Sequence, residues 1–252
     1  MLNISILSRI TCLLLLGCLS LPIASKAASI IDYPFQENSI AVCKVDLHKD
    51  QLQMFWRDER KNVFGKFGVL QQWLNQRGKS LVCATNAGIY EESLRPLGLY
   101  IENGIELRRL NVRKNAYGNF YLQPNGVFVI RGTQANIINT DQFAAERSMK
   151  WADVTFATQS GPLLIEHGRI NPMFSAGSDN RLVRNAICTL SINESALVFS
   201  RGIISFFDFA HFLKDKLNCT DALYLDGSVS RFYPGLASDI GPQFGAMLGV
   251  VK

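Results

Sequence analysis

The sequence predicts an α+β fold: a single domain with a mixed or antiparallel, curved β-sheet core and a few packed helices. Three observations carry this. Ten short apolar runs read as strands, against three stretches with helical spacing. Three of the strands share a pattern of glycine, apolar run and glycine turn: Gly98–Gly104, Gly126–Gly132 and Gly161–Gly168. Each reads as the first arm of a hairpin. No Pro/Ser-rich linker divides the chain, and its 252 residues can bury one sizeable core.

The first element is not part of the fold. Residues 1–27 read as a secretory signal peptide: Arg9 is the only charge before a mostly apolar run from Ile10 to Ala24, and Ser25-Lys26-Ala27 supplies small residues before a cut after Ala27. Pro22 and Lys26 interrupt the run, which falls short of the about 20 apolar residues of a spanning helix. An alternative is Leu15-Leu16-Gly17-Cys18, which resembles a lipobox and would anchor the protein through a lipid at Cys18. The domain then spans residues 28–252 and is expected to be periplasmic or secreted. Membrane contact is expected only through the signal peptide or that anchor.

Strands are predicted over Ser39–Leu47 and Leu52–Trp56. A helix follows over Lys66–Gln76, with Phe67, Leu70, Trp73 and Leu74 on one face. Further strands fall at Ser80–Asn86, Gly98–Glu102, Gly118–Leu122 and Gly126–Arg131, then a short helix at Asp141–Met149. Strands at Gly161–Glu166, Arg184–Ile192 and Ala196–Ser200 precede the clearest helix, Phe206–Leu217. There Ser205 and Asp208 form a capping box, and Phe206, Phe209, Ala210, Leu213 and Leu217 make a buried stripe. Ala222–Leu225 is the last predicted strand.

Composition and missing motifs narrow the function. The formal net charge is +5, falling to +3 without Arg9 and Lys26, and the longest basic run is Arg108-Arg109, so no stripe forms to track nucleic-acid phosphates. His48, His167 and His211 have no metal-ligand spacing. No GxSxG, HExxH or GxGxxG is present, which removes the common serine hydrolases, zincins and dinucleotide enzymes. No metal site or cofactor is predicted; acidic and amide oxygens could hold Ca²⁺, but no calcium loop is visible. Cys43, Cys83, Cys188 and Cys219 remain after cleavage, and no CxxC occurs. The pairing 43–83 with 188–219 is favoured, and four buried thiols are the alternative.

The chemistry lies in small-residue turns at strand ends. Each alone reads as an ordinary turn, because Asn, Asp and Gly tolerate positive φ. Together they supply a carboxylate (Asp226), hydroxyls (Ser160, Ser228, Ser230), amides (Asn86, Asn125, Asn185) and a guanidinium (Arg184). Glycines beside them (Gly88, Gly126, Gly161, Gly227) let backbone N–H groups approach a ligand. That inventory suits an anionic, hydroxyl-rich ligand such as a sugar phosphate: Arg pairs with phosphate in a planar fork, and amides and hydroxyls satisfy sugar hydroxyls.

The series NAGIY (86–90), PLGLYIENG (96–104), GNFYLQPNGVF (118–128), ATQSGPLLIEHGRI (157–170), VRNA (183–186) and ALYLDGSVSRFY (222–233) resembles the phosphodiester glycosidase family over about residues 38–252. The resemblance implies hydrolysis of a sugar 1-phosphodiester, with a sugar-phosphate or polysaccharide as substrate. For bacterial members it implies an exported protein of envelope or exopolysaccharide metabolism. It carries over Asn86, Gly88, Asn125, Gly126, Ser160, Gly161, Arg184, Asp226, Gly227 and Ser230. The chain departs from the family at LDGSVSR, where LDGGGSS is common: Ser228 and Val229 replace glycines and Arg231 replaces a serine. On this reading Arg184 neutralises the phosphate, with Ser160 and the Gly161 N–H, and Asp226 faces the anomeric carbon as nucleophile or base. Glu91 is the expected second carboxylate, with Glu92 as the alternative. Asn86, Asn125, Ser228 and Ser230 hold the sugar. The rival reading is a non-catalytic carbohydrate-binding or envelope-assembly protein on the same scaffold.

Overall fold

The computed structural model describes residues 28–226, 229–235 and 238–252. The expected signal peptide and Cys18 therefore lie outside the described residues, as do Gly227 and Ser228. In chain order the elements begin with strands β1 (Ser29–Phe35), β2 (Asn38–Asp46) and β3 (Gln51–Phe55), helix α1 (Phe67–Asn75), and strands β4 (Leu81–Asn86), β5 (Tyr100–Glu102) and β6 (Ile105–Arg108). A 3₁₀ turn at Asn119–Tyr121 precedes β7 (Gly126–Arg131), β8 (Gln134–Asn139), α2 (Thr140–Lys150) and β9 (Phe156–Ser160). Then come β10 (Leu163–Glu166), β11 (Arg169–Ile170), β12 (Asn185–Thr189), β13 (Glu194–Ser200) and α3 (Phe206–His211). A π-helical stretch (Phe212–Lys216) leads to β14 (Asp221–Tyr224), β15 (Phe232–Tyr233) and β16 (Met247–Val251).

The strands form three antiparallel sheets, in the orders β1-β2-β13-β12-β14-β10-β11, β15-β4-β16-β3 and β6-β5-β9-β7-β8. This is an α+β fold. Their inner faces enclose one core, which includes Ala41 and Val45 of β2, Met54 of β3, Phe128 and Ile130 of β7, Leu197 of β13, Leu223 of β14 and Leu248 of β16. Each outer face is covered by one helix. Phe209, Ala210 and Leu213 pack on Ile40, Val42, Ala186 and Val198 of the large sheet. Phe67, Leu70 and Leu74 of α1 cover Ala84 and Met247, and Phe143 of α2 covers Val127, Val129 and Ala157. Strands buried on both faces lose the polar alternation of a half-exposed sheet, which is why they read as continuous apolar runs. Each fully buried Phe or Leu adds roughly 1.5–3 kcal/mol of apolar transfer.

The three glycine-bounded strands are indeed the first arms of the hairpins β5–β6, β7–β8 and β10–β11. Their turns use positive φ at Asn103 and Gly104, Gly132, and His167 and Gly168. The disulfides are Cys43–Cys83, which ties the large sheet to the four-stranded one, and Cys188–Cys219, which ties β12 to the loop before β14. The Ser205 cap forms: its Oγ accepts the Asp208 N–H at 3.0 Å.

Several expectations need correction. Gly118–Leu122 is a 3₁₀ turn rather than a strand, because Phe120 turns into the core while its neighbours stay partly exposed. The last helix is α-helical only to His211 and continues as the π-helical stretch. β6, β8 and β11 are the second arms of the expected hairpins, and β1, β9, β15 and β16 lie outside the predicted strands. Among the described residues no helix is long and apolar enough to cross a membrane.

Candidate active site

The turns converge where ends of all three sheets meet. β4 delivers Asn86, β9 delivers Ser160, the start of β12 delivers Asn185, and the chain leaving β14 delivers Asp226. All four are buried, with Asp226 6% exposed. Buried polar groups need partners, and here they find one another.

Asn185 is the hub. Its Nδ2 donates to Thr85 Oγ1 (2.6 Å) and to Asn86 O and Oδ1 (both 2.9 Å). Its Oδ1 accepts the Asp226 backbone N–H at 2.9 Å and the Ser230 hydroxyl at 3.2 Å. Asn86 Nδ2 then donates to Asp226 Oδ2 at 3.3 Å, and Asn86 Oδ1 accepts the Arg231 N–H at 2.8 Å. Ser230 Oγ also donates to the Asp226 carbonyl. Ser160 Oγ donates to Leu225 O at 2.7 Å, locking β9 to the residue before Asp226. Three distant segments thus fix the main chain at Leu225 and Asp226 and place the Asn86 amide on the carboxylate, a preorganised arrangement.

The glycines serve close packing. A Cβ on Gly88 would stand 2.4 Å from Gln159 O and 2.8 Å from Thr158 Oγ1. One on Gly161 would meet Asn125 Cβ at 2.7 Å, and one on Gly126 would meet Leu163 Cδ2 at 2.6 Å. Asn125 itself is buried, and its Nδ2 donates to Phe120 O at 3.0 Å, so it braces the 3₁₀ turn beside the cluster.

Two expected catalytic groups are placed otherwise. Arg184 is 0% exposed and faces protein rather than an open site. Its Nε donates to Ile204 O (2.8 Å), Nη2 to Asn180 O (2.8 Å) and Oδ1 (3.0 Å), and Nη1 to the Tyr224 hydroxyl (3.3 Å). The guanidinium lies 3.6 Å over the Phe206 ring. Burial lowers its pKa, and Tyr224 opposes that shift. Burial also raises the Tyr224 hydroxyl; Arg184 pulls it down and the Asp226 charge pushes it up. Arg184 thus bonds Tyr224, whose hydroxyl lies within electrostatic reach of Asp226. Glu91 is engaged at the surface, where Oε2 accepts from Arg95 Nε at 2.7 Å and Oε1 from Arg108 Nη2 at 3.3 Å. Glu92 is exposed.

Asn185 is one of the amides expected in the site, whereas Thr85, Tyr90 and Tyr224 carry no expected role. Their signal was weak: polar groups at the ends of apolar strands, which also suit ordinary turns. Burial pushes the Tyr90 hydroxyl up to about 12, the Asp226 charge adds to this and Arg231 opposes it, so Tyr90 stands within electrostatic reach of both.

Residues 79–233 match the family model described as phosphodiester glycosidase. The chain is 35% identical over 189 residues to the uncharacterized protein YigE of Escherichia coli (strain K12), covering 75% of this chain and 72% of that one. Its fold is similar to the zebrafish N-acetylglucosamine-1-phosphodiester alpha-N-acetylglucosaminidase catalytic domain, auto-inhibited by its pro-peptide. The TM-score is 0.60 at 16% identity, over 90% of this chain and 84% of that chain. The family match spans more than half of the sequence and every strand end that builds the Asp226 cluster; this chain belongs to the phosphodiester glycosidase family.

Proposed function

We propose that the protein hydrolyses a sugar 1-phosphodiester at the Asp226 cluster. The observation that carries this is the buried Asp226 at the meeting point of three sheets: Asn185 and Ser230 bond its main chain, and Asn86 donates to its carboxylate. In the reaction the C1–O bond to the phosphate breaks and its electron pair leaves with the phosphate oxygen. Water supplies the new C1–O bond, and its proton is taken up by a base. Asp226 serves as nucleophile or base on the anomeric carbon. A phosphate leaves as a weak base, which reduces the need for a strong general acid. Arg184, buried and bonded to Tyr224, acts through that tyrosine as a positioning residue, steadying the negative charge of Asp226 without touching substrate.

The protein would work outside the cytoplasm, after loss of residues 1–27, in envelope or exopolysaccharide metabolism. Its two disulfides support an oxidising compartment.

The test is sugar release from a panel of glycosyl 1-phosphodiesters. The native protein is expected to release sugar, and Asp226→Asn is expected to fold normally and lose at least ~100-fold in rate. An undiminished rate in Asp226→Asn removes this carboxylate from the chemistry. Ligand-dependent stabilisation without release from any substrate favours a carbohydrate-binding protein instead.

A further inference from the structure

Tyr90 and Arg231 come from segments far apart in sequence and rest on the same loop. Tyr90 Oη donates to Gln243 O at 3.4 Å, and Arg231 Nε donates to Ile240 O at 3.2 Å. Two glycines of that loop make room for them. A Cβ on Gly241 would stand 2.7 Å from Arg231 Nη2, and one on Gly245 would stand 2.9 Å from Tyr90 Cβ.

The Arg231 backbone is fastened to the active-site cluster. Its N–H donates to Asn86 Oδ1 at 2.8 Å, and its carbonyl accepts from Thr85 Oγ1 at 2.8 Å. Among the described residues the guanidinium bonds only to main-chain carbonyls, Ile240 O and Ser230 O (3.0 Å). These bonds use two of its five N–H donors, and among the described residues it forms no salt bridge. Nearby arginines differ: Arg201 forks onto Asp32, and Arg95 and Arg108 hold Glu91. A cavity of about 400 Å³ adjoins, lined by Ser230, Arg231, Phe199, Phe232, Arg201 and Ser238. Ser230, in the wall of that cavity, also bonds to the Asp226 carbonyl.

We propose that Arg231 and Tyr90 form the phosphate-holding side of this site, with the guanidinium forked onto two phosphate oxygens and the Tyr90 hydroxyl donating to a third. The adjoining cavity then takes the group beyond the phosphate. Arg184, buried and already bonded, leaves this task open. The Tyr90 hydroxyl is held protonated well past neutral pH, as a donor must be. The proposal rests on the glycosidase reading and identifies the ligand class by its chemistry: a sugar phosphate ester.

Calorimetry tests it with N-acetylglucosamine 1-phosphate, inorganic phosphate and N-acetylglucosamine as probes. The native protein should prefer the sugar phosphate to the neutral sugar by roughly tenfold or more. Arg231→Met should erase that preference. Arg231→Lys should keep part of it, since a point charge replaces the fork, and Tyr90→Phe should reduce it severalfold. A native protein without the preference, or an Arg231→Met protein that retains it, overturns the proposal. Should Arg231→Met fail to fold, Tyr90→Phe and Arg231→Lys decide, and full native preference in both overturns it. A native protein that prefers the sugar phosphate yet cleaves no phosphodiester separates the two ideas: the anion site stands and the glycosidase reading fails. Sugar release with KM and kcat unchanged in Arg231→Met gives the reverse.

Discussion

Asn185 Oδ1 accepts the Asp226 backbone N–H at 2.9 Å, across 41 positions of sequence. The same side chain donates to Asn86, whose amide reaches the Asp226 carboxylate. One amide therefore sets both the main-chain position of Asp226 and the group that touches its oxygen. Asn185→Ala is expected to leave several buried donors and acceptors unsatisfied. The expected loss is about 2–4 kcal/mol of stability in urea unfolding, with activity falling further than stability alone explains. A variant with native stability and turnover would remove Asn185 from its central role.

Gly88 should tolerate no side chain, though its φ is not in the left-handed region. The obstacle is the Gln159 carbonyl, 2.4 Å from where a Cβ would sit, and backbone yields little. Gly88→Ala is expected to cost about 1–3 kcal/mol and to displace the Asn86 turn. An unchanged melting curve would show that β4 and β9 can part without penalty.

The two disulfides are expected to act alike, since they close loops of similar separation, 40 and 31 residues. Removing either by paired Cys→Ala substitution should cost roughly 2–4 kcal/mol. Mass spectrometry of the unreduced protein should find 43–83 and 188–219 linked. Four free thiols in protein recovered from an oxidising compartment would refute the pairing.

Glu102 yields a pH prediction. Burial raises its pKa above the ordinary glutamate value, and hydrogen bonds from Tyr100 and the Trp56 backbone only partly oppose this. The folded state thus binds its proton more tightly than the unfolded chain. Its contribution to stability is full below the unfolded pKa and is lost as pH rises through the folded pKa. Glu102→Gln keeps an acceptor for the Tyr100 hydroxyl, which lies 2.6 Å from Glu102 Oε2. It is expected to melt higher than native at pH 7, with the gain shrinking toward pH 4. A lower melting temperature at pH 7 would mean the charge is stabilising.

Sequence patterning was most reliable where a short-range rule decided the outcome. The Ser205 cap needs only three residues, and the three glycine-bounded hairpins need only a turn that accepts positive φ. Local rules failed where register or packing decided. β16 is paired on both sides and buried throughout, yet Met247–Val251 is too short and featureless to stand out. Gly118–Leu122 has strand-like composition, but burial of Phe120 bends it into a 3₁₀ turn.

By itself the sequence determined the fold class, the order of the polar turns and the family they resemble, because these follow from residue type and spacing along the chain. It also identified Asp226, Asn86 and Ser160, the polar groups of those turns. Only the tertiary structure decided what surrounds Asp226. It buried Arg184 against Tyr224, turned Glu91 to Arg95 and Arg108, and set Arg231 and Tyr90 on one loop. The physical reason is range. Asn86 and Asp226 are 140 positions apart, and Asn86 and Arg231 145. Whether a charge meets solvent, a carbonyl or another charge at such separations depends on how three sheets close on one core, which no local pattern encodes.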